Sequence, residues 1–171
     1  MLTAANSYLR SMNKELQSII RNLENTLTGE PWFGRPVYQI LAEIDESKVS
    51  TKPGGTEHSL LELLYHMITW AEFTLNRIQK DEKRDVKYFE DLDWREIDPK
   101  KHDWKKGVAE LKRIHEEIVG SIKEKDDEFL KEPVNHREYN YRFLLNGLIQ
   151  HNIYHLGQIA YLNKLLHPLS P

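Results

Sequence analysis

The 171-residue sequence contains no cysteine. Disulfide bonds, thiolate metal sites and cysteine nucleophiles are therefore excluded. A metal ion bound by this chain would have to be held by histidine, aspartate or glutamate. Eight histidines are present, so nitrogen ligands are the first to consider.

Neither a large charge of one sign nor a long apolar run is found. The 24 basic and 27 acidic residues are mixed along the chain and give a formal net charge of −3. A binding groove for nucleic acid or for an anionic membrane is therefore not expected. No run approaches the roughly 20 apolar residues of a membrane span, and Met1–Gln17 lacks the apolar core of a signal peptide. We expect a cytoplasmic protein without nucleic-acid or membrane partners.

Strand-type alternation of apolar and polar residues does not stand out either. Apolar residues instead recur at three- and four-residue spacing, which indicates helices with one buried face. The length suits a single domain spanning residues 1–171. We predict an all-α fold, a four-helix bundle of four long helices with one short extra helix. The predicted helices are Thr3–Leu27, Pro36–Asp45, Ser59–Lys80, Asp103–Lys125 and Tyr141–Leu166.

A long charged connection, Asp81–Lys101, separates the second and third long helices. Its length of about 20 residues is unusual within a compact domain. It fits a crossover along the length of a bundle, which lets the two flanking helices run parallel. The aromatic residues Tyr88, Phe89 and Trp94 would attach this connection to the surface of the bundle.

The most informative segment is Leu148–Ile159, in which His151 and His155 lie four residues apart. In a helix, positions four apart share one face with their Cβ atoms roughly 6 Å apart, so both imidazoles can reach one metal ion. The same face carries apolar residues, so both histidines should point toward the core. A buried ring nitrogen without a partner costs about 1–3 kcal/mol. Two histidines at this spacing on one apolar stripe therefore favour a metal site.

A metal site needs at least one further ligand, and the pattern leaves two candidates open. His66 lies at the edge of the apolar face of its helix, flanked by Leu63 and Trp70. His115 lies in the middle of the apolar stripe of the next long helix and faces the core more squarely. Either can instead be structural, His66 in a surface hydrogen bond and His115 in a buried one. Spacing alone slightly favours His115.

The remaining histidines fall in loops or at a helix end, and we expect them to be solvated. Glu62 lies four residues before His66, but Ser59–Glu62 reads as a capping box that satisfies backbone N–H groups at the start of a helix. No residue at a defined spacing from these histidines stands out as a general base. The four histidines expected to be solvated are His58, His102, His136 and His167.

Two segments carry a family likeness, together with the early loop Pro31–Gly34. They are His58–Trp70 and Gln150–Ile159, the second of which contains the more specific pattern His-x-x-x-His-x-Gly-Gln-Ile. On these residues the sequence resembles the DinB superfamily of DinB/YfiT-like metalloenzymes over nearly the whole chain. The resemblance implies a four-helix bundle with a long crossover between helices 2 and 3, which agrees with the connection Asp81–Lys101.

The resemblance also implies a set of metal ligands. The family's site uses one histidine of the second helix and two of the fourth, which here are His66, His151 and His155. His115 is then a core residue or a group that supports the site. Asn152 stands where many relatives have an acidic residue, so an orienting role for that acid does not carry over to this chain.

Three neutral imidazoles leave at least one coordination position for water or substrate, which is the pattern of a catalytic site. Nitrogen ligands suit several divalent ions, of which we expect zinc or nickel. Such an ion activates bound water or a thiol. Catalytic residues beyond the metal ligands stay unassigned. The groups that can orient the ligands are Glu62, Tyr154, Gln158 and His115.

The function implied by the resemblance is that of a metal-dependent enzyme acting on a small molecule. It would be an S-transferase that uses a low-molecular-weight thiol such as bacillithiol, or a hydrolase. A homodimer is also implied, with weak support from Trp32, Phe33 and Trp94 as exposed aromatics. The alternatives are a non-catalytic metal- or ligand-binding bundle related to stress, and a plain bundle with core histidines. An open coordination position beside a pocket would favour the enzyme.

Overall fold

The computed structural model describes residues 13–167. This part of the chain forms six α-helices and three short 3-10 helices, and it has no β-strand apart from an isolated bridge between Pro133 and Asn140. The all-α prediction is confirmed for these residues. The α-helices are α1 Lys14–Thr28, α2 Val37–Ala42, α3 Leu60–Ile78, α4 Val86–Leu92, α5 Trp104–Lys123 and α6 Tyr141–Leu166. The 3-10 helices are Glu46–Lys48, Pro53–Gly55 and Phe129–Lys131.

Polar side chains fix the starts of three long helices. At α3, Ser59 Oγ accepts a hydrogen bond from the backbone N–H of Glu62 at 3.3 Å, and Glu62 Oε2 accepts one from the N–H of Ser59 at 2.7 Å. The predicted capping box is therefore confirmed. Asp103 and Asn140 cap α5 and α6, each accepting from the backbone N–H three residues further on. Each cap satisfies a donor that the helix leaves unpaired, typically worth about 1 kcal/mol.

Each of the four long helices packs against two of the others. α3 contacts α5 and α6, and α1 likewise contacts α5 and α6. α3 is the most buried of the four, because almost all of its residues, several polar ones included, are shielded from solvent. The contact between α3 and α6 places His66 opposite His151 and His155. None of the helices within residues 13–167 has the length and apolarity needed to cross a membrane.

The predicted ends of the later helices differ from the observed ones by one or two residues. α6 has its predicted bounds. α3 and α5 begin one residue later than predicted, because Ser59 and Asp103 lie outside them as caps. α3 ends before Lys80, whose φ of 54° lies in the left-handed region and cannot continue a right-handed helix.

The two earlier helices depart from prediction for different reasons. α2 ends at Ala42 rather than at Asp45, because the Asp45 side chain caps the following 3-10 helix by accepting the N–H of Ser47 at 3.0 Å. The predicted beginning of the first helix at Thr3 lies outside the described residues. The same holds for Leu9 and Met12, two members of its predicted apolar stripe.

The connection Asp81–Lys101 is not a continuous loop, and the prediction was wrong on this point. It contains the short helix α4, which begins where Asp85 Oδ1 accepts the backbone N–H of Tyr88 at 2.8 Å. Phe89 is fully buried, with its ring 5.4 Å from that of Phe73. A helix of seven residues is too short to show a periodic pattern, and burial of one aromatic ring holds it in place.

Candidate metal centre

Three histidine side chains from two helices converge between α3 and α6. His66 belongs to α3, and His151 and His155 belong to α6. One ring nitrogen of each lies within 4.8 Å of the corresponding nitrogen of the other two. The spacing of four residues on α6 and the packing of α3 against it bring these residues together.

The nitrogen atoms stand at a separation that suits a shared ion. His66 Nε2 and His151 Nε2 are 3.0 Å apart. Two nitrogens bound to one tetrahedral zinc ion at about 2.0–2.1 Å would be roughly 3.3 Å apart. The rings of His66 and His151 each lie with their centroids 4.4 Å from that of His155. The donor set and its spacing therefore fit a divalent ion held by imidazole nitrogens.

Asp93 fixes the orientation of His66. Its Oδ1 atom lies 2.5 Å from His66 Nδ1 and also accepts a hydrogen bond from Trp70 Nε1 at 3.2 Å. A carboxylate can only accept here, so His66 carries its proton on Nδ1 and presents the lone pair of Nε2 to the cluster. A carboxylate behind a histidine ligand is a recurrent arrangement in metal sites. Burial lowers the pKa of His66 although Asp93 opposes this effect.

Gln158 orients His155 from one turn further along α6. Its Oε1 accepts a hydrogen bond from His155 Nδ1 at 2.6 Å, which leaves Nε2 of His155 for the cluster. Tyr154 is more peripheral, because its side chain is 64% exposed and its hydroxyl lies 3.5 Å from Gln158 Nε2. The pKa of His155 is lowered to about 4, chiefly by burial and then by the neighbouring His66.

His151 differs from the other two because its second nitrogen is unsupported. His151 Nδ1 is buried and has no hydrogen-bond partner within residues 13–167. Burial, followed by the proximity of His155 and His66, lowers the pKa of His151 to about 3. The imidazoles of His151 and His155 are thus neutral at pH 7, which is the form that binds a metal ion.

His115 lies outside this cluster, contrary to the preference drawn from spacing alone. It is 1% exposed, and its Nδ1 lies 2.7 Å from the Tyr38 hydroxyl. Its Nε2 lies 3.2 Å from the side-chain amide of Asn152, which is completely buried next to His151. Burial lowers the pKa of His115 to about 3. His115 is a hydrogen-bonded core residue. It contacts α6 at Asn152, the residue that follows His151.

Glu62 is not one of the residues that form the three-histidine group. Its carboxylate is occupied at the start of α3, where it accepts the N–H of Ser59 and pairs with Lys52 Nζ at 2.9 Å. These contacts lower the pKa of Glu62 despite an opposing effect of burial, which is the largest single influence. Glu62 therefore serves the helix cap, as the capping-box pattern indicates.

Asp93 and Trp94 lie next to the cluster, which was not predicted from the sequence, and Trp94 was expected only to attach the connection to the surface of the bundle. The Trp94 ring is stacked between His58 and His66, with centroid distances of 3.6 Å and 3.9 Å. Trp94 holds a left-handed φ of 45°, a conformation that costs a non-glycine residue about 1–2 kcal/mol. Its position against His66 shows that the segment directly after α4 covers one side of the cluster. An Asp-Trp pair directly after a short acidic segment was the only sequence signal.

The expectation that four histidines are solvated holds for two of them. His136 and His167 are exposed, whereas His58 and His102 are half-buried. His58 lies against Trp94, and His102 Nδ1 accepts the backbone N–H of Asp98 at 2.8 Å. His58 therefore belongs to the wall around the cluster.

Comparison with known families agrees with this geometry. No curated protein matches the sequence. The sequence model of the DinB superfamily matches residues 34–159. The match covers well over half of the chain and contains all three clustered histidines together with Asp93 and Gln158. The three-histidine group is compatible with a metal-binding member of this superfamily. The chain belongs to the DinB superfamily.

Proposed function

We propose that the protein is a metal-dependent enzyme acting on a small molecule, with His66, His151 and His155 as ligands of one divalent ion, zinc or nickel. The observation that carries the proposal is the convergence of three imidazole nitrogens within 4.8 Å of one another. Among the described residues the group has three members, so a tetrahedral ion would keep a position for substrate. That is the arrangement of a catalytic site rather than a closed structural one.

The residues around the cluster support this role by holding two of the three ligands. Asp93 keeps the proton of His66 on Nδ1, and Gln158 does the same for His155. Both rings are therefore already oriented with Nε2 inward, which reduces the cost of ordering them when an ion binds. When bound, the ion would supply Lewis acidity that activates water or a thiol. Trp94 shields one side of His66 from solvent.

We propose that the reaction transfers the organic group of an electrophile to the sulfur of a low-molecular-weight thiol. Membership in the DinB superfamily supports this choice. A hydrolase would use the same cluster with water in place of the thiol. The four long helices are proposed to form one DinB-like four-helix-bundle domain. A homodimer and a cytoplasmic location stay predictions from sequence. For the dimer, the fully exposed Trp32 side chain gives weak support.

The first test is the metal content of protein purified without a histidine tag. Wild type and His155→Ala are compared side by side by inductively coupled plasma mass spectrometry, before and after incubation with zinc or nickel. We expect about one ion per wild-type chain and a loss of that ion in the variant. A wild-type protein that takes up neither ion would refute the metal centre.

The reaction is tested next on the metal-loaded protein. A set of low-molecular-weight thiols is offered together with an electrophilic aryl halide, and thiol consumption is followed against a parallel assay of ester hydrolysis. Metal-dependent consumption of one thiol, absent in His155→Ala, would support the transferase. Ester hydrolysis without any thiol preference would favour the hydrolase. A loaded protein inactive in both assays would favour a non-catalytic metal-binding role.

A further inference from the structure

An apolar pocket of about 150 Å³ lies directly beside the three-histidine cluster, between α3 and α6. None of the residues that line it is an aspartate, glutamate, lysine or arginine. Its walls are mainly aromatic and aliphatic. The aromatic and aliphatic residues that line it are Trp70, Phe73, Tyr139, Phe143, Leu144 and Leu148.

The polar atoms of two wall residues are already used inside the protein. Trp70 Nε1 donates to Asp93 at 3.2 Å, and Thr74 Oγ1 donates to the backbone carbonyl of Trp70 at 2.9 Å. The faces that these residues turn to the pocket are therefore apolar. An occupant gains from burial of apolar surface and from contact with aromatic rings.

His151 connects this pocket to the cluster. Its ring lines the pocket, while its Nε2 lies 3.0 Å from His66 Nε2 inside the cluster. Trp70 makes a second connection, because the side chain that forms a pocket wall also holds Asp93 behind His66. A molecule whose polar end reaches the cluster can thus place an apolar group in the pocket, with the His151 ring between the two regions.

The size of the pocket limits what it can accept. An enclosed apolar cavity of about 150 Å³ is large enough for benzene, and this pocket, which is open to solvent on one side, has the same volume. A single six-membered ring therefore fills the pocket, whereas a fused ring system would extend out of it, and a charged side chain would find no partner of opposite charge among the lining residues. Gly147, one turn before His151, leaves open space where a side chain would otherwise project, since nothing lies within 4 Å of a Cβ built there.

We propose that this pocket is a substrate subsite for an apolar group the size of a single six-membered ring, whose reacting end lies at the three-histidine cluster. The inference rests on the proposed metal-dependent function, which it makes more specific by assigning an apolar substrate class. The ring occupies the space beside Gly147 and contacts the aromatic wall. The tether between the ring and the reacting group is short, because His151 alone separates the two regions.

The experiment uses cobalt-loaded protein and a series of thiols as probes. A thiolate bound to cobalt gives a charge-transfer absorption band, so each dissociation constant is read from a titration without any assay of activity. Phenylmethanethiol, 2-phenylethanethiol and 3-phenylpropanethiol vary the tether, and 1-propanethiol lacks the ring. We expect the best phenyl thiol to bind about ten- to hundredfold more tightly than 1-propanethiol, as burial of one phenyl ring allows.

Gly147→Leu fills the pocket and should abolish the advantage of the ring. Gly120→Leu is the matched control, because Gly120 also lies in a helix with nothing within 4 Å of a Cβ but is remote from this pocket. It should retain the full advantage. Phe143→Ala provides a second variant, since its side chain is 64% exposed and can be removed with little risk to folding. Loss of that wall should reduce the advantage severalfold.

The outcomes separate the subsite from the metal centre. Equal affinities for phenyl thiols and 1-propanethiol in wild type would overturn the subsite and leave the metal centre intact. A ring advantage that persists in Gly147→Leu would overturn it as well. If no cobalt binds, the metal centre fails, and toluene binding to the metal-free protein, followed by NMR of leucine methyl groups, tests the pocket separately. Toluene that does not bind wild type, or binds Gly147→Leu equally well, overturns the apolar site.

Discussion

Asp93 and His66 lie 2.5 Å apart across the contact between the α3–α5 connection and α3, joined by Oδ1 and Nδ1. The same carboxylate oxygen accepts the indole N–H of Trp70. Two donors of α3, the Trp70 indole and the His66 ring, therefore bond to Asp93. Because Trp70 fixes the carboxylate, the carboxylate in turn fixes the orientation of the His66 ring. A residue from the connection thus decides which nitrogen of a helical histidine is free for a metal ion.

Replacement of Asp93 by alanine should weaken zinc binding by about 10- to 100-fold, the usual range for loss of a group that orients a metal ligand. The reason is that the His66 ring loses the acceptor that fixes its proton on Nδ1. The measurement is a competition titration with a chromophoric chelator, which gives the zinc dissociation constant directly.

Asp91→Ala is the matched control for this prediction. Asp91 is exposed and pairs with Lys87 on the surface of α4, so its removal changes the local charge equally without touching the cluster. Its zinc affinity should equal that of wild type. If Asp93→Ala also bound zinc like wild type, the contact between Asp93 and His66 would have no bearing on a metal site.

Gln158→Ala should weaken zinc binding less than Asp93→Ala does, by about tenfold or less. A neutral amide oxygen makes a weaker hydrogen bond than a carboxylate, so the orientation of His155 depends less on it. Gln150→Ala serves as control, since Gln150 is an exposed residue of the same helix. A loss greater than that of Asp93→Ala would reverse the assigned order of the two contacts.

How much of the site could be predicted depends on where its residues lie along the chain. His151 and His155 were found because a helix turns spacing into proximity, and spacing is visible in the sequence. His66 lies 85 residues from His151, and no local pattern links the two. The choice of His66 over His115 came from family resemblance, because both histidines lie on apolar helix faces.

The surroundings of the cluster could not be predicted for a related physical reason. Asp93 and Trp94 reach His66 only because α4 folds within the connection and is fixed there by the buried Phe89. That burial is a tertiary effect, and an acidic seven-residue helix leaves no periodic trace in the sequence. The long helices, by contrast, show their apolar stripes and caps directly.

His115→Ala should leave the zinc content unchanged while lowering the free energy of unfolding by about 2–4 kcal/mol. The substitution removes a fully buried ring and leaves the Tyr38 hydroxyl and the Asn152 amide without their partner. Urea unfolding measures the stability and elemental analysis measures the metal. Loss of the metal in a folded variant would show that His115, and not only the three clustered histidines, binds the ion.

The last prediction concerns the pH dependence of stability in the metal-free protein. The pKa of His115 is about 3 in the folded state against an ordinary value of 6.5. Between these values the unfolded chain binds a proton at this residue and the folded protein does not. The contribution of His115 to stability is therefore fully present above pH 6.5 and is lost as the pH falls toward 3.

The slope expected from one such histidine is about 1.4 kcal/mol per pH unit across that window. The free energy of unfolding, measured in urea at pH 6.0 and pH 5.0 with a chelator present, should fall less steeply in His115→Gln than in wild type by roughly this amount. Taking the difference between the two proteins removes the contributions of the carboxylates and of His155, and it leaves only a small contribution from His151, on whose pKa His115 has the smallest of the resolved effects. His136→Gln alters an exposed histidine and should leave the wild-type slope unchanged. Identical slopes for wild type and His115→Gln would mean that His115 is protonated as readily in the folded protein as in the unfolded chain.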